Sequence, residues 1–232
     1  MNKYYLIIFT FVIFTLAYYI INIVELITNP IYKYTSTIGN EPLYKDSLLE
    51  SSQILTNNWK VFRDEALSTY NSYDSITEDY LFKNLIDNKS DWTKLYIKWY
   101  SDIDPIARQK CPNSCKLIES LPDVKIAMFS VLAPGAYIKP HRGPYKGCVR
   151  YHLGLATPNS DECYISVDNI KYSWRDGEGI IIDDTYTHWV RNNTNQPRII
   201  LFCDIVRPMT FLGKNINNFC MNNFGKLTSR NN

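Results

Sequence analysis

The three histidines of this 232-residue chain, His141, His152 and His188, all fall within one 48-residue window. Imidazole is the commonest protein ligand of iron, copper, zinc and nickel, so this cluster is a candidate metal site. His141 and His188 are 47 residues apart and must come from different strands or loops. Arg150 lies inside the window and Arg198 just beyond it, which indicates an anion site next to the metal.

The spacing of these residues fits part of a known iron-binding pattern. Non-haem Fe(II) oxygenases hold iron with two histidines and a carboxylate, which usually lies two residues after the first histidine. Gly143 occupies that position here, so the complete triad is absent. A 2-oxoglutarate co-substrate also needs a cation for its second carboxylate. Arg198 lies ten residues after His188, where a hairpin would return it beside the metal, and Arg150 and His152 share one strand face.

From Val124 onward, short runs rich in β-branched and aromatic residues predict the strands that would position these side chains. The predicted strands are 125–132, 137–139, 149–156, 163–167, 170–174, 179–182, 187–191 and 198–206. Gly, Pro, Asn and Asp residues mark the turns between them. Strands this short at this spacing indicate an antiparallel sandwich or jelly roll, which brings distant strand ends together at one mouth.

The chain upstream of these strands is predicted to be mainly helical. Residues 46–70 carry apolar side chains at helical spacing, and residues 105–120 predict a short helix. Residues 91–100 alternate in part and favour a strand. We therefore assign one catalytic domain to residues 46–232, with its motif core at 124–208.

The N-terminal residues predict a membrane anchor. From Tyr4 to Val24 there are 21 uncharged and mostly apolar residues, about the length that spans a bilayer as a helix. A cleaved signal peptide is the alternative, but the run is long and no small-residue cleavage site follows it. We assign residues 1–28 to a single transmembrane helix and residues 29–45, rich in Pro, Gly, Ser and Thr, to a stalk. Lys3 before the run predicts a cytoplasmic N-terminus and a lumenal or extracellular domain, at the endoplasmic reticulum or a viral membrane.

Composition excludes two classes of protein and leaves the role of the cysteines open. The 45% hydrophobic fraction argues against disorder, and the net charge of +2 gives no basic face for a nucleic acid. Cys111 and Cys115 are spaced for a local disulfide in an oxidising lumen. They are also spaced as half of a zinc site, but no second pair at suitable spacing completes it.

Taken together, an ordered series of segments resembles the aspartyl/asparaginyl β-hydroxylase family. The segments are 129–135 (FSVLAPG), 140–144 (PHRGP), 150–155 (RYHLGL), 174–178 (WRDGE), Asp183-Asp184, His188, Arg198 and Asp204. The resemblance is dense over about residues 105–208 and weaker upstream to about residue 45. Any one segment alone is a weak signal, whereas the whole series in this order is specific.

The resemblance implies a mainly β fold with N-terminal helices, a double-stranded β-helix, that uses Fe(II), 2-oxoglutarate and O₂. Members bind iron with two histidines and no carboxylate, so Gly143 fits the family. Carried over by position, the iron ligands are His141 and His188. The 2-oxoglutarate residues carried over in the same way are Ser130, Arg150, His152 and Arg198. The family's lumenal members have a disulfide where Cys111 and Cys115 lie, with a different loop length.

Structural explanations of single residues stay open at this point. His152 also fits a core histidine with hydrogen bonds inside the sheet, and Arg150 also fits an ion pair with Asp183 or Asp184. Trp174 is interpreted as a packing residue. The domain as a whole also fits a non-catalytic jelly roll that binds a ligand, or, with less support, a zinc hydrolase of the cupin type.

The family suggests two classes of substrate. The first is the β-carbon of Asp or Asn in a secreted protein domain, such as a disulfide-rich EGF-like domain. The second is the acyl chain of a membrane lipid, since related short membrane-tethered enzymes hydroxylate lipids. A membrane anchor next to the catalytic domain suits either substrate.

Overall fold

The computed structural model describes residue 23 and residues 25–70, 73–75 and 84–223. The helices are α1 (residues 25–35), α2 (Glu50–Asn57), α3 (Trp59–Ser68), α4 (Pro105–Lys110), α5 (Pro112–Glu119) and α6 (Phe211–Asn223). The strands are β1 (Leu43–Lys45), β2 (Asp74–Ser75), β3 (Trp92–Trp99), β4 (Asp102–Ile103), β5 (Val124–Leu132), β6 (Tyr137–His141), β7 (Cys148–Ala156), β8 (Cys163–Val167), β9 (Ile170–Ser173), β10 (Gly179–Ile182), β11 (His188–Asn192) and β12 (Arg198–Val206).

These strands form two antiparallel sheets. The larger sheet has the order β1-β10-β7-β12-β5-β3-β2, with β4 paired to β3, and the smaller has the order β6-β11-β8-β9. The eight strands from β5 to β12 are thus shared equally, four to each sheet. Two antiparallel sheets of four strands packed face to face form a jelly roll, so the predicted mainly β fold is confirmed. Each predicted strand agrees with an observed one to within two residues.

Side-chain alternation on β12 shows how the core is divided. Ile199 and Leu201 pack with helices α2, α3 and α5 on the outer face of the larger sheet. Ile200 and Phe202 pack between the two sheets. Because strand side chains alternate between faces, Arg198 also points into the space between the sheets.

The same alternation places polar residues of β5 and β7 in that interior. Phe129 and Tyr151 belong to the outer cluster. Their neighbours Ser130, Arg150 and His152 therefore face the opposite sheet. Each of these three side chains was a predicted site residue, and a one-residue slip of register would turn it outward.

The helical regions differ from the prediction at two points. The predicted helix over 46–70 is divided into α2 and α3 at Asn58, whose φ of −106° and ψ of 16° are not helical. The predicted helix over 105–120 is divided into α4 and α5 at Cys111. Pro112 forces this second break, because a residue before proline disfavours the helical conformation.

The segment predicted as a stalk packs against the domain instead. Tyr32 on α1 is fully buried, and Leu43–Lys45 pairs with β10 as the edge of the larger sheet. Arg207 also reaches the segment, because its guanidinium lies 3.5 Å from the carbonyl of Gly39. The predicted membrane anchor lies almost entirely outside the described residues. No helix among residues 23, 25–70, 73–75 and 84–223 has the length and hydrophobicity needed to cross a bilayer.

Candidate metal and anion site

One cavity between the two sheets brings all six sequence-predicted site residues together. They are Ser130, His141, Arg150, His152, His188 and Arg198. Along β12, Arg198 and Asp204 are six residues apart, or roughly 20 Å at the rise of a strand. Arg150 lies level with Asp204. We call His141, His188 and Arg150 the histidine end of the cavity, and Ser130 and Arg198 the arginine end.

The two histidines at the histidine end face each other across a strand pair. His141 on β6 and His188 on β11 are direct partners in the sheet, with ring centroids 4.1 Å apart. The Nδ1 of His141 lies 2.8 Å from the Lys139 carbonyl, and that of His188 lies 2.9 Å from the Tyr186 carbonyl. A carbonyl only accepts, so both Nδ1 atoms carry the proton and both Nε2 atoms keep a lone pair for a ligand.

Burial keeps both imidazoles neutral. It lowers the pKa of His188 to about 3, with a further contribution from His141. It also lowers the pKa of His141, and the charge of Arg150 acts in the same direction. Neutral imidazole is the form that binds a metal, so both rings are ready to bind one at neutral pH.

Asp184 fills the space in which the triad carboxylate would otherwise sit. A Cβ atom added to Gly143 would lie 2.0 Å from Oδ2 of Asp184, far inside van der Waals contact. The Gly143 amide also donates to the Asp184 carbonyl over 2.7 Å. Among the described residues, no group of three or more His, Cys, Asp or Glu side chains is placed to hold a metal ion. The pair His141 and His188 is therefore the candidate set of protein ligands.

Arg150 is held by two carboxylates at the histidine end. Its Nη1 lies 2.9 Å from Asp184, and its Nε lies 2.9 Å from Asp204. Burial opposes its charge, but these two carboxylates outweigh it and raise its pKa. The ion pair that sequence analysis left open is thus formed with Asp184, and Asp204 is a second partner. Asp183 bonds Lys146 and Arg207 instead. Burial raises the pKa of Asp184 to about 6 against the opposing effect of Arg150.

Arg198 at the arginine end is buried without a carboxylate. It is 2% exposed, and its guanidinium carbon lies 4.5 Å from the ring centroid of Trp174. One Nη atom lies 3.5 Å from the Ser130 hydroxyl, whereas its Nε has no hydrogen-bond partner within the described part of the chain. Burial lowers its pKa to about 10. A guanidinium in this state is a fitting partner for a buried carboxylate.

Ser130 and His152 add polar groups that face the same space. The Ser130 hydroxyl accepts from Nε1 of Trp92 over 2.9 Å, which leaves its own proton free to point into the cavity. Both ring nitrogens of His152 are buried and have no partner among the residues described. The core histidine with internal hydrogen bonds, left open by the sequence, is therefore not what the structure shows. Burial lowers the pKa of His152 well below its usual value, and the charge of Arg198 adds to this effect.

Two groups at the site were not predicted from the sequence as site residues. Trp92 orients Ser130, and Trp174, expected only to pack, stacks on Arg198. No signal in the sequence pointed to Trp92, because its place beside Leu132 and Arg198 follows only from the register of the larger sheet. The Cys111–Cys115 disulfide is absent, since both cysteines are free buried thiols.

The donor set fits Fe(II) and a small dicarboxylate. Two neutral imidazoles with oriented Nδ1 atoms suit a divalent transition metal and leave further coordination positions for other ligands. At the other end, Arg198, Ser130 and His152 offer buried N–H and O–H groups without internal acceptors. Buried polar groups are normally paired, so this set points to an anion that completes it.

Comparison with known proteins finds similarity to hydroxylases. The family model described as aspartyl/asparaginyl beta-hydroxylase matches residues 56–208. An ornithine lipid ester-linked acyl 2-hydroxylase from Rhizobium tropici is 29% identical over 192 residues, which cover 80% of this chain and 67% of that protein. The human aspartyl/asparaginyl beta-hydroxylase is 30% identical over 161 residues, 66% of this chain. The match spans only 21% of the human protein's length.

Solved structures show more distant similarity. An oxidoreductase of the 2OG-Fe(II) oxygenase family from Burkholderia pseudomallei gives a TM-score of 0.45 at 13% identity, over 64% of this chain and 79% of that one. A prolyl-4-hydroxylase from Pseudomonas putida gives 0.43 at 14%, over 66% and 88%. The fold assignment therefore rests on the sheet topology described above.

Proposed function

The chain belongs to the aspartyl/asparaginyl β-hydroxylase family, and from that premise we propose that it is an Fe(II)- and 2-oxoglutarate-dependent dioxygenase. The observation that carries the proposal is Arg198, a buried guanidinium without a carboxylate, in the same cavity as a pair of neutral histidines. Bound iron, 2-oxoglutarate and O₂ would supply the oxidising chemistry for hydroxylation of an unactivated C–H bond.

Each polar residue of the cavity has a role in this proposal. His141 and His188 bind the iron through Nε2, while their Nδ1 bonds fix the rings. Arg198 binds the distal carboxylate of 2-oxoglutarate, and the Ser130 hydroxyl donates to the same group. His152 lies between the two ends and donates to the bound co-substrate. The apolar walls exclude water from the reacting atoms.

Arg150 has a second role besides binding the co-substrate. Its guanidinium is already held by Asp184 and Asp204, so it adds positive charge without moving when a ligand arrives. Asp184, beside Gly143, would supply a carboxylate oxygen that orients water next to the histidine pair. Asp184, held by Arg150, would thus take the place of the carboxylate that residue 143 lacks, without binding the iron directly.

Two substrate classes fit the relatives. Family membership suggests the β-carbon of Asp or Asn in a protein, as in an EGF-like domain. A lipid acyl chain is the second candidate, because similarity to the rhizobial lipid hydroxylase covers 80% of this chain, against 66% for the human protein. We further propose that the uncharged run from Tyr4 to Val24 anchors the chain in a membrane, with the N-terminus cytoplasmic and the catalytic domain lumenal or extracellular.

The proposed chemistry is tested with the full chain in detergent under anaerobic conditions. Truncation at residue 30 is unsuitable, because Asn29 bonds Pro144 and Lys146 beside the site. Fe(II) and 2-oxoglutarate are added, and the weak visible charge-transfer band is recorded before air is admitted and succinate is measured. A band and succinate support the proposal. A folded protein without a band is a non-catalytic jelly roll or uses another metal. Product analysis on an EGF-like peptide and on a lipid extract then separates the two substrates.

A further inference from the structure

Exposed apolar side chains concentrate on the pair of helices α1 and α6. Of the twelve large hydrophobic residues exposed in the described part of the chain, six lie on these two helices. They are Leu26, Ile27, Tyr34, Phe211, Leu212 and Phe219. The connections of the two helices run side by side, since Ser36 bridges to Met209 and the Thr210 amide donates to the Thr35 carbonyl over 2.8 Å.

Helix α6 has three large apolar side chains on its exposed face. Phe211 is 85% exposed, and Leu212 and Phe219 are each 61% exposed, whereas its buried residues are Gly213, Asn217, Cys220 and Met221. Gly213 and Asn217 are needed at their buried positions for structural reasons. A Cβ atom at Gly213 would lie 2.1 Å from Oγ1 of Thr35, and Asn217 donates to the Gly147 carbonyl over 2.8 Å. A surface helix of a soluble protein normally exposes polar side chains, so three large apolar side chains on the outer face of α6 fit an apolar environment.

The chain outside the described residues indicates what covers this face. The 21 uncharged residues from Tyr4 to Val24 end directly where α1 begins. We propose that the α1–α6 face lies in the interfacial layer of a lipid bilayer, with Phe211, Leu212 and Phe219 inserted between the lipid headgroups. Lys214 is the one charged residue of α6, and a helix with an apolar stripe beside lysine and asparagine suits this layer. The proposal rests on the membrane anchor proposed above and goes beyond the oxygenase chemistry, on which it does not depend.

Such docking would hold the histidine end of the cavity close to the membrane. The loop over residues 142–147 follows His141 and leads into β7. Both helices hold this loop, since Asn29 on α1 bonds the Pro144 carbonyl and the Lys146 amide. Asn217 on α6 bonds the Gly147 carbonyl. A membrane contact at α1 and α6 would therefore place the loop beside the proposed iron site near the bilayer.

The test places an indole on the proposed membrane face of the full chain. Phe219→Trp and Leu212→Trp are reconstituted separately in nanodiscs of phosphatidylcholine, with and without dibrominated acyl chains. Leu67→Trp is the matched control, because Leu67 is 48% exposed on α3, outside the proposed face. Wild-type emission is subtracted, since the chain has five tryptophans. All three positions are exposed, and unchanged thermal unfolding confirms that the variants fold.

Brominated lipid should quench the emission added at positions 212 and 219 roughly twofold, the behaviour of a side chain at the headgroup–acyl boundary. Emission added at position 67 should not change. Three results would overturn the proposal. The first is that brominated lipid does not quench the emission added by Phe219→Trp, while iodide in the water quenches it as strongly as the emission added by Leu67→Trp. The second is a blue shift without bromine quenching that appears only with two copies in each disc, which assigns the face to a second copy of the chain. The third is failure of the full chain to associate with the discs.

Discussion

The two ends of the cavity satisfy their polar groups in opposite ways. At the histidine end, Arg150 is held by Asp184 and Asp204, and both histidines donate from Nδ1 to carbonyls. At the arginine end, Arg198 is more deeply buried but has a single long hydrogen bond, to the Ser130 hydroxyl, among the described residues. The hydrogen-bond donors at the first end are paired within the protein, whereas those at the second end are left for the proposed co-substrate.

This difference shows which of the two buried arginines is expected to destabilise the fold when no ligand is bound. A buried charge without a partner destabilises a fold, and pairing or replacement by an apolar side chain relieves that cost. Burial lowers the pKa of Arg198 to about 10, while the carboxylates around Arg150 raise the pKa of that guanidinium. Within this cavity, the guanidinium without a carboxylate partner is therefore at the end where 2-oxoglutarate is proposed to bind.

The largest effect is expected from loss of an iron ligand at the histidine end. His188→Ala should lower Fe(II) affinity and turnover by more than roughly 100-fold, since even loss of a group that orients a ligand costs 10–100-fold. Anaerobic Fe(II) titration followed by succinate release measures both quantities. Thr187→Ala, at an exposed neighbouring position, should behave as wild type. Iron binding that survives in His188→Ala would remove this residue from the ligand set.

The next effect concerns the arginine end. Arg198→Ala should weaken 2-oxoglutarate binding by roughly 2–5 kcal/mol, because a buried carboxylate would lose its charged partner. Arg198→Lys keeps the charge but not the bidentate fork, so its affinity should be intermediate. Titration of the charge-transfer band reports both values, and Fe(II) affinity should remain that of wild type. Equal 2-oxoglutarate affinity in all three proteins would place the anion site elsewhere.

Much of this cavity could be predicted from the sequence because it depends on local patterns. Alternation along β5, β7 and β12 turns Ser130, His152 and Arg198 to one side, and the order of the motifs aligns the strands. The mainly β fold follows from short strands separated by turn residues. These features depend on neighbours in sequence, and the structure agrees with them.

The remaining features depend on contacts between distant residues. Asp204 and Arg150 are 54 residues apart, so which carboxylate holds Arg150 is fixed only by the register of β7 and β12. The segment 29–45 has the composition of a stalk, yet Tyr32 is buried against Tyr145. Local composition does not indicate such tertiary contacts, and it does not indicate that Trp92 orients Ser130.

The contrast between the two ends also predicts opposite changes in stability. Arg150→Met should lower the free energy of unfolding of the ligand-free protein by about 3–5 kcal/mol, because Asp184 and Asp204 would stay buried without their cation. Arg198→Met should raise it by about 1–3 kcal/mol, because it removes a buried charge that has no carboxylate. Urea unfolding in the absence of 2-oxoglutarate compares the two variants. A loss of stability in both would show that Arg198 has a structural partner.

A smaller effect is expected from a methyl group at position 143. Gly143→Ala would place Cβ 2.0 Å from Oδ2 of Asp184, so the carboxylate must move away from Arg150. We expect a loss of about 1–3 kcal/mol of unfolding free energy, the usual cost of overpacking. The double variant Gly143→Ala/Asp184→Ala should lose less than the sum of the two single changes, because the clash is removed. Strict additivity in urea unfolding would mean that Asp184 does not occupy this space.

The last prediction concerns the pH dependence of stability, to which two groups at the histidine end contribute with opposite signs. His188 has a pKa of about 3 in the folded protein and about 6.5 when unfolded. The unfolded state therefore binds more protons, and stability falls as the pH drops from about 6.5 towards 3. Asp184 has a pKa of about 6 when folded, above the usual 3.8 of an aspartate, so its contribution falls as the pH rises through this range.

Each contribution has a limiting slope of about 1.4 kcal/mol per pH unit, and between pH 4 and 6 the two largely cancel. Wild-type stability from urea unfolding should still fall as the pH drops from 6 to 4, because burial also lowers the pKa values of His141 and His152, which act in the same direction as His188. Asp184→Asn removes one contribution, so its stability should fall more steeply than wild type as the pH drops from 6 to 4. His188→Ala removes the other, so its stability should fall less steeply than wild type over the same interval. Parallel profiles for the three proteins would show that neither group titrates as its burial requires.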